Sequence, residues 1–537
     1  VADQIIVNVT PFETRVAFAE SGTVLDVFIE RNRDRGIVGN IYLGRVQRVL
    51  PGMQAAFVEI GEERAAFLYV GDVVPPEEEE DEDDVESLPE ALGEGGDDDD
   101  AEEPRKKKRR SRRSNRRIEE LLKQGQNVLV QVAKDAIGTK GPRVTCNISI
   151  PGRHLVYMPT HRHLGISRRI TDEDERSRLK TILEENRPDV GGFVVRTASE
   201  GLADEKVKAD IEFLHNIWVD VEKRTKDLPS PNLALPELDI VLRCARDMFN
   251  GEVSRFIIDH KPTYDRVVKF MEFLDPELAQ RLEHYQGDVP VFDHFGVETE
   301  LARAMSRRVW LKSGGYLVID QAEALTAIDV NTGKFVGRRN LEDTILKTNL
   351  EAVKEVAYQL RLRNIGGMVI IDFIDMESQE HRDKVLSALT EALKKDRARC
   401  NVVKISELGL VEMTRQRTRE SLGRALTETC WYCEGRGVLK SKRTISYEIF
   451  RALERQAKSF TEPVVVIHAH PEVVDELYGD ESYILEDFEK RSGKEVVVRP
   501  RGSFHQEQFD LFGTSLEAVA RETGTKKGKR ISKKAKN

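Results

Sequence analysis

The sequence predicts a multidomain chain of α+β and α/β units, and three observations carry that prediction. Its 537 residues exceed what a single hydrophobic core organises, so several compact units are expected. Residues 37–74 read as short strands broken by turns, the pattern of a small barrel. Residues 305–426 interleave short apolar runs with stretches at helical spacing, the pattern of an α/β unit.

Composition agrees. Hydrophobic residues at 39% can fill an interior, and charged residues at 33% leave a very polar surface, as in a soluble globular protein. No run approaches the roughly 18 apolar residues of a membrane span, and Val1 to Phe18 lacks a signal-type apolar block, so a cytoplasmic address is expected. Five sparse cysteines, Cys146, Cys244, Cys400, Cys430 and Cys433, argue against a disulfide framework. The net charge of −10 is local: residues 77–103 hold 17 acids and residues 105–117 hold 10 bases, which accounts for seven of the ten charges. An acidic total therefore does not exclude a nucleic-acid partner.

In the barrel region the expected strands are 41–43, 46–50, 55–60 and 65–70, with turns at Pro51-Gly52 and Gly61 to Arg64. A further pair, 127–132 and 144–150, follows residues 75–117, a charged stretch that reads as a disordered insertion. That insertion is either a solvated linker or a basic arm, Arg105 to Arg117, for phosphates. Between about 150 and 240 come mixed elements, including a strand at 192–195 and an amphipathic helix at 202–223. In the α/β region strands are expected at 316–319, 324–330 and 368–371, and helices at 341–362 and 381–395. A smaller α/β segment spans 441–520, and a basic tail follows it.

Three groups of residues could carry chemistry. Asp329 and Asn331 lie two apart at a strand's C-terminal end, so they share a face. If the strand ending at Asp372 lies alongside, two carboxylates and an amide converge, a partial oxygen shell of the kind Mg²⁺ accepts while keeping waters. Such a site suits phosphodiester hydrolysis; the plainer alternative is that acids at strand ends cap loops or helices, and Asp375 and Asp320 are weaker candidates, expected behind the site or on the surface. Secondly, Cys430-Trp431-Tyr432-Cys433-Glu434-Gly435-Arg436-Gly437 fits half of a zinc knuckle, the other half coming from a second copy of the chain, since Cys400 has no partner spacing. A redox C-x-x-C is the alternative, disfavoured because no helix is expected to start at Cys430. Thirdly, Phe57, Phe67 and Tyr42 with Arg45, Arg48 and Lys140 could stack bases and track a single strand, or the aromatics could simply be core. A G-x-x-x-x-G-K-[ST] loop is absent, so an ATP-driven motor is not expected.

The segments Gly36 to Tyr42, Gln54 to Val58, Glu323 to Asn331, Leu360 to Arg363, Asp372 to Met376 and the Cys430/Cys433 turn together resemble the bacterial ribonuclease E/G family over residues 1–520. The short stretch after residue 520 makes the chain more similar to ribonuclease G. The resemblance implies an endoribonuclease that hydrolyses single-stranded, often A/U-rich RNA to 5′-phosphate and 3′-hydroxyl ends, is stimulated by a 5′-monophosphate and serves RNA decay and rRNA and tRNA processing. Asp329 and Asp372 would then bind Mg²⁺ and Asn331 would orient the attacking water. Phe57, Phe67, Lys140 and Arg399 would contact RNA, the last near the active site, and Gly152, Val156, Arg196 and Thr197 would sense the 5′-phosphate. Cys430 and Cys433 would share Zn²⁺ between two chains in a homodimer or homotetramer. The implied architecture is an RNase H-like unit (1–35 with 241–304), an OB-fold barrel (36–145), a 5′-sensing region (146–240), a DNase I-like catalytic unit (305–426), a zinc link (427–440), a small domain (441–520) and the tail (521–537). A non-catalytic RNA-binding scaffold is the alternative, and the intact Asp329, Asn331 and Asp372 discriminate against it.

Overall fold

The computed structural model describes residues 3–33, 35–73, 117–136, 141–188, 190–333, 341–403, 406, 410–417, 419–456, 458–479 and 482–518. Lys140, the stretch 75–116 and the tail 521–537 lie outside the described residues. The chain divides into two compact units, Val1–Leu426 and Thr427–Asn537.

The first unit opens with an antiparallel meander of β1 (Asp3–Val9), β2 (Glu13–Glu20) and β3 (Thr23–Arg31). A barrel follows, made of β4 (Ile41–Leu50), β5 (Ala55–Glu59), β6 (Ala66–Tyr69), β7 (Asn127–Lys134) and β8 (Arg143–Thr145). Its strands run β4-β5-β6-β8-β7 and close through a β4–β7 pairing, a closed five-stranded barrel consistent with an OB fold. The two strands expected at 41–43 and 46–50 are one, because Gly44 is not a turn. A Cβ there would meet Val58 Cγ1 at 2.5 Å, so the glycine permits close approach of barrel strands.

Next come β9 (Ile150–Pro151), β10 (Leu155–Met158), β11 (Leu164–Ile166) and β12 (Gly192–Val195), in the order β11-β12-β10-β9. The expected strand 144–150 thus splits between this sheet and the barrel. Helices Glu173–Asn186 and Asp204–Asp227 cover the sheet with Leu179, Ile182, Leu183, Val207, Ile211, Leu214 and Trp218. β13 (Asn232–Leu235) returns to pair with β4. β14 (Val253–Ile258) and β15 (Leu282–His284) then extend the opening meander as β15-β14-β1-β2-β3, with β14 parallel to β1.

The last sheet of this unit contains β16 (Arg308–Trp310), β17 (Tyr316–Gln321), β18 (Leu325–Asn331), β19 (Gly367–Asp372), β20 (Cys400–Val402) and β21 (Leu410–Arg415), ordered β16-β17-β18-β19-β21-β20. Helix Leu341–Leu362 connects β18 to its parallel neighbour β19. Its Ala352, Val353, Val356 and Leu360, with Val385, Leu389 and Leu393 of helix Gln379–Leu393, pack on one face of the sheet.

The second unit has a three-stranded sheet, β22 (Val464–Ala469), β23 (Glu495–Pro500) and β24 (Phe509–Thr514), ordered β23-β22-β24. Helices Lys442–Gln456, Pro471–Tyr478 and Ser482–Ser492 contribute to its core through Ile445, Ile449, Val473, Leu477, Leu485 and Phe488. Among the described residues no helix is long and apolar enough to cross a membrane.

Candidate functional site

Strand alternation sets which side chains leave the core. In β18, Thr326, Ile328 and Val330 are buried while Ala327 and Asp329 are exposed; in β19, Val369 and Ile371 are buried while Met368 and Asp372 are exposed. The parallel register pairs Asp329 directly with Asp372, so the two carboxylates stand side by side on the open face. Asn331, next along that face, donates from Nδ2 to Asp329 Oδ2 at 2.8 Å. Burial, then the negative charges of Asp329 and Asp375, hold the Asp372 carboxyl above its usual range. Like charges placed together favour a cation. Among the described residues no three His, Cys, Asp or Glu side chains form a metal-holding group. The oxygen set is two carboxylates and an amide, which fits a hard divalent ion that keeps several of its waters.

The backbone around this pair is fastened from below. Asn349, wholly buried on helix Leu341–Leu362, donates from Nδ2 to Ile374 O at 2.8 Å and accepts from Ile374 N at 3.1 Å. Arg382 Nε donates to Met376 O at 2.8 Å, fixing the same loop after β19. A Cβ on Gly315 would lie 2.6 Å from Asn331 O, so the turn before β17 needs glycine to pass the end of β18. Of the lesser acids, Asp375 is exposed and acts on Asp372 by charge, whereas Asp320 is engaged by Arg307 at 2.6 Å.

Arg399 does not join this group. Gln416 N donates to its carbonyl at 2.9 Å, and neighbouring Arg415 pairs with Gly367, so its backbone lies at the end of the sheet opposite Asp372. The expectation of a base near the active site fails because β19 runs its full length between them.

On the barrel, Phe57 and Phe67 are cross-strand partners whose rings meet edge-on, 6.1 Å between centroids. Both are half-buried, and the register extends the row to exposed Arg48 on one side and Arg143 on the other. Arg143 is engaged by Asp72 at 2.9 Å. Tyr42 is not part of this surface: it is buried in the barrel core with its hydroxyl donating to Glu62 Oε1 at 3.1 Å.

The structure brings Gly152, Val156, Arg196 and Thr197 to one end of β10 and β12. Val156 pairs with Val194, and Arg196 N donates to His154 O at 2.9 Å. Arg196 Nη1 donates to Gly152 O at 2.8 Å and to Asp247 Oδ1 at 2.6 Å, and Thr197 shares a 3.1 Å hydrogen bond with Ser167 Oγ. Sequence reasoning missed two supports here. Asp247, its side chain 1% exposed, anchors Arg196, and Asp210 Oδ2 accepts from His154 N at 3.0 Å and Leu155 N at 3.1 Å. The usable signal was an acid on the apolar stripe of an amphipathic helix, Val207-Asp210-Ile211-Leu214. Asn349 carries the same signal on its own helix.

In the second unit, Cys430 is exposed and Cys433 half-buried. Hydrogen bonds from the Cys433 and Tyr432 amides hold the Cys430 thiol below its usual range. Gly437 N approaches Cys433 Sγ at 3.4 Å, and left-handed Glu434, Gly435 and Gly437 wrap the backbone round the sulfurs. Residues 431–435 are turn rather than helix.

The family model for the ribonuclease E/G family matches residues 149–418, and that for the RNase E/G thioredoxin-like domain matches residues 429–514. The chain is 45% identical over 508 residues to Ribonuclease G of Escherichia coli (strain K12), covering 95% of this chain and 99% of that protein. It is 45% identical over 511 residues to Ribonuclease G of Haemophilus influenzae, with the same coverage. Ribonuclease E of Haemophilus influenzae is 35% identical over 513 residues, 95% of this chain and 52% of that protein. The chain belongs to the ribonuclease E/G family.

Proposed function

We propose that the chain is a Mg²⁺-dependent endoribonuclease that hydrolyses single-stranded, often A/U-rich RNA to 5′-phosphate and 3′-hydroxyl ends, is stimulated by a 5′-monophosphate, and serves RNA decay and rRNA and tRNA processing in the cytoplasm. The observation that carries it is the register pairing of Asp329 with Asp372, beside Asn331, in a ribonuclease E/G chain. Asp329 and Asp372 would hold the Mg²⁺, which when bound would supply charge neutralisation at the phosphodiester and a more acidic water. Asp329 and Asp372 hold the site's negative charge in place. Asn331, steadied by Asp329, orients the attacking water against the scissile phosphate.

Phe57 and Phe67 give RNA a stacking surface on the barrel, with Lys140 adding charge, and Arg399 meets RNA away from the cut bond. Arg196 and Thr197, with Gly152 and Val156, receive the terminal phosphate; the Asp247 anchor on Arg196 supports a preset geometry. Residues 1–35 with 241–304 form the RNase H-like unit, a reading that the parallel β1–β14 pairing supports. Residues 146–240 form the 5′-sensing region and 305–426 the DNase I-like unit. Cys430 and Cys433 hold half of a zinc site in the link 427–440, shared between two chains of a homodimer or homotetramer.

The test is cleavage of a 5′-monophosphorylated, A/U-rich RNA with and without Mg²⁺ by wild type and Asp372→Ala, with product ends mapped. Mg²⁺-dependent products with 5′-phosphate ends, lost in the variant, are the expected result. Tight binding without cleavage by wild type moves the assignment to an RNA-binding scaffold.

A further inference from the structure

Strands β16 and β17 continue the open face beyond the carboxylates. Partners across an antiparallel pair share a face. Arg308, Val318, Asp329 and Asp372 therefore form one row, and Trp310, Tyr316 and Asn331 the next. The inner face is accounted for by Val309, Leu317 and Val330, all in the core. Trp310 faces the other way on the edge strand and is 59% exposed, so most of its large apolar surface contributes nothing to the core. Its indole meets the Tyr316 ring edge-on with centroids 5.3 Å apart. The Arg308 guanidinium lies 4.5 Å from the Tyr316 centroid and 5.8 Å from that of Trp310.

We propose that Trp310, Tyr316 and Arg308 form a stacking platform for a nucleobase of single-stranded RNA flanking the bond cut at Asp329 and Asp372. This rests on the endoribonuclease reading and assigns it a further substrate-binding site. Two aromatics with a guanidinium over them match what sequence-tolerant base stacking requires: flat apolar surface and a cation that also attracts the phosphate. Two strand spacings, about 10 Å, separate the Trp310 and Asn331 backbones, which suits a neighbour of the cleaved nucleotide rather than that nucleotide itself. Continuity with the carboxylate row, on the same face of the same sheet, favours RNA over a protein partner. The platform positions and selects substrate and takes no part in bond breaking.

The test uses the full chain, Mg²⁺ and a 5′-monophosphorylated A/U-rich RNA, with versions carrying one abasic nucleotide at each position near the cut. Trp310→Ala is expected to raise KM roughly tenfold or more with kcat nearly unchanged, and Trp310→Phe to restore most of the loss. One abasic position should raise the wild-type KM by a similar factor and leave that of Trp310→Ala unaltered. Equal KM for wild type and Trp310→Ala, or abasic penalties that add fully to the variant's, overturn the platform and leave the endoribonuclease reading standing. Altered sedimentation of Trp310→Ala with unchanged KM assigns the patch to a second copy and overturns it too. Wild type that neither binds nor cuts these RNAs overturns both readings.

Discussion

Asn349 and Ile374 are joined by a reciprocal pair of hydrogen bonds, side-chain amide to backbone N–H and C=O, that ties the loop after Asp372 to the helix beneath it. Asn349→Leu keeps the branching and the number of heavy atoms but leaves both Ile374 backbone groups without that partner. A loss of about 1–3 kcal/mol in stability is expected, with a fall in kcat of roughly tenfold as Asp372 loses its setting. Urea denaturation and steady-state cleavage check the two parts; unchanged kcat despite lost stability would remove the positioning role.

The Asp329–Asp372 pair places like charges directly opposite each other across two strands. Asp372→Asn should therefore cost at least about a hundredfold in cleavage while raising stability by about 0.5 kcal/mol. Melting temperature in chelator-treated buffer, measured beside activity, reads both. A destabilised variant would mean that the carboxylate holds the fold rather than a cation.

Burial pushes the Asp210 carboxyl up to about 6 from 3.8, against the His154 and Leu155 amides and the charges of Arg196 and Arg153, which favour its ionised form. A group whose pKa is raised in the folded chain holds its proton more tightly there. Its stabilising share is complete below about 3.8 and is lost as pH rises through about 6. In Asp210→Asn this pH dependence disappears. Relative to wild type, the variant should gain up to about 3 kcal/mol across that window, read from urea denaturation at several pH values. A gap that does not move with pH contradicts the shift.

Cys430 and Cys433 supply two thiolates where tetrahedral zinc takes four ligands. Replacing both with Ser is expected to remove about half an equivalent of zinc per chain and to convert dimer to monomer. Metal analysis with analytical ultracentrifugation decides it. Zinc-free wild type that remains dimeric would end the shared-site assignment.

Much of the site was legible because strand alternation is a local property. Three residues suffice to put Asp329 and Asn331 on one face, and the helical stretch 341–362 was readable from spacing alone. Where a residue has two physical uses, local pattern failed. Gly44 looked like a strand break and is a close-contact position inside one continuous strand. Tyr42 looked like a base-stacking ring and is core, because its hydroxyl finds Glu62. The place of Arg399 near the acids came from the resemblance and not from local pattern, and the register puts a whole strand's length between its backbone and Asp372.

By itself, then, the sequence determined the barrel and the α/β unit, the faces of the key strands, and the motifs that mark the family. Tertiary structure alone decided that β18 and β19 lie adjacent and in register, and which buried polar groups hold the site. Leu360 enters the core beneath the β18–β19 sheet, and Leu362 the core shared with the opening meander. Between them Arg361 donates at 3.1 and 2.8 Å to Asp26 Oδ2, 335 residues away in the chain. Periodicity is written within a few residues, so a short window reveals it. Pairing register and the partner of a buried charge depend on where distant segments pack, which no window contains.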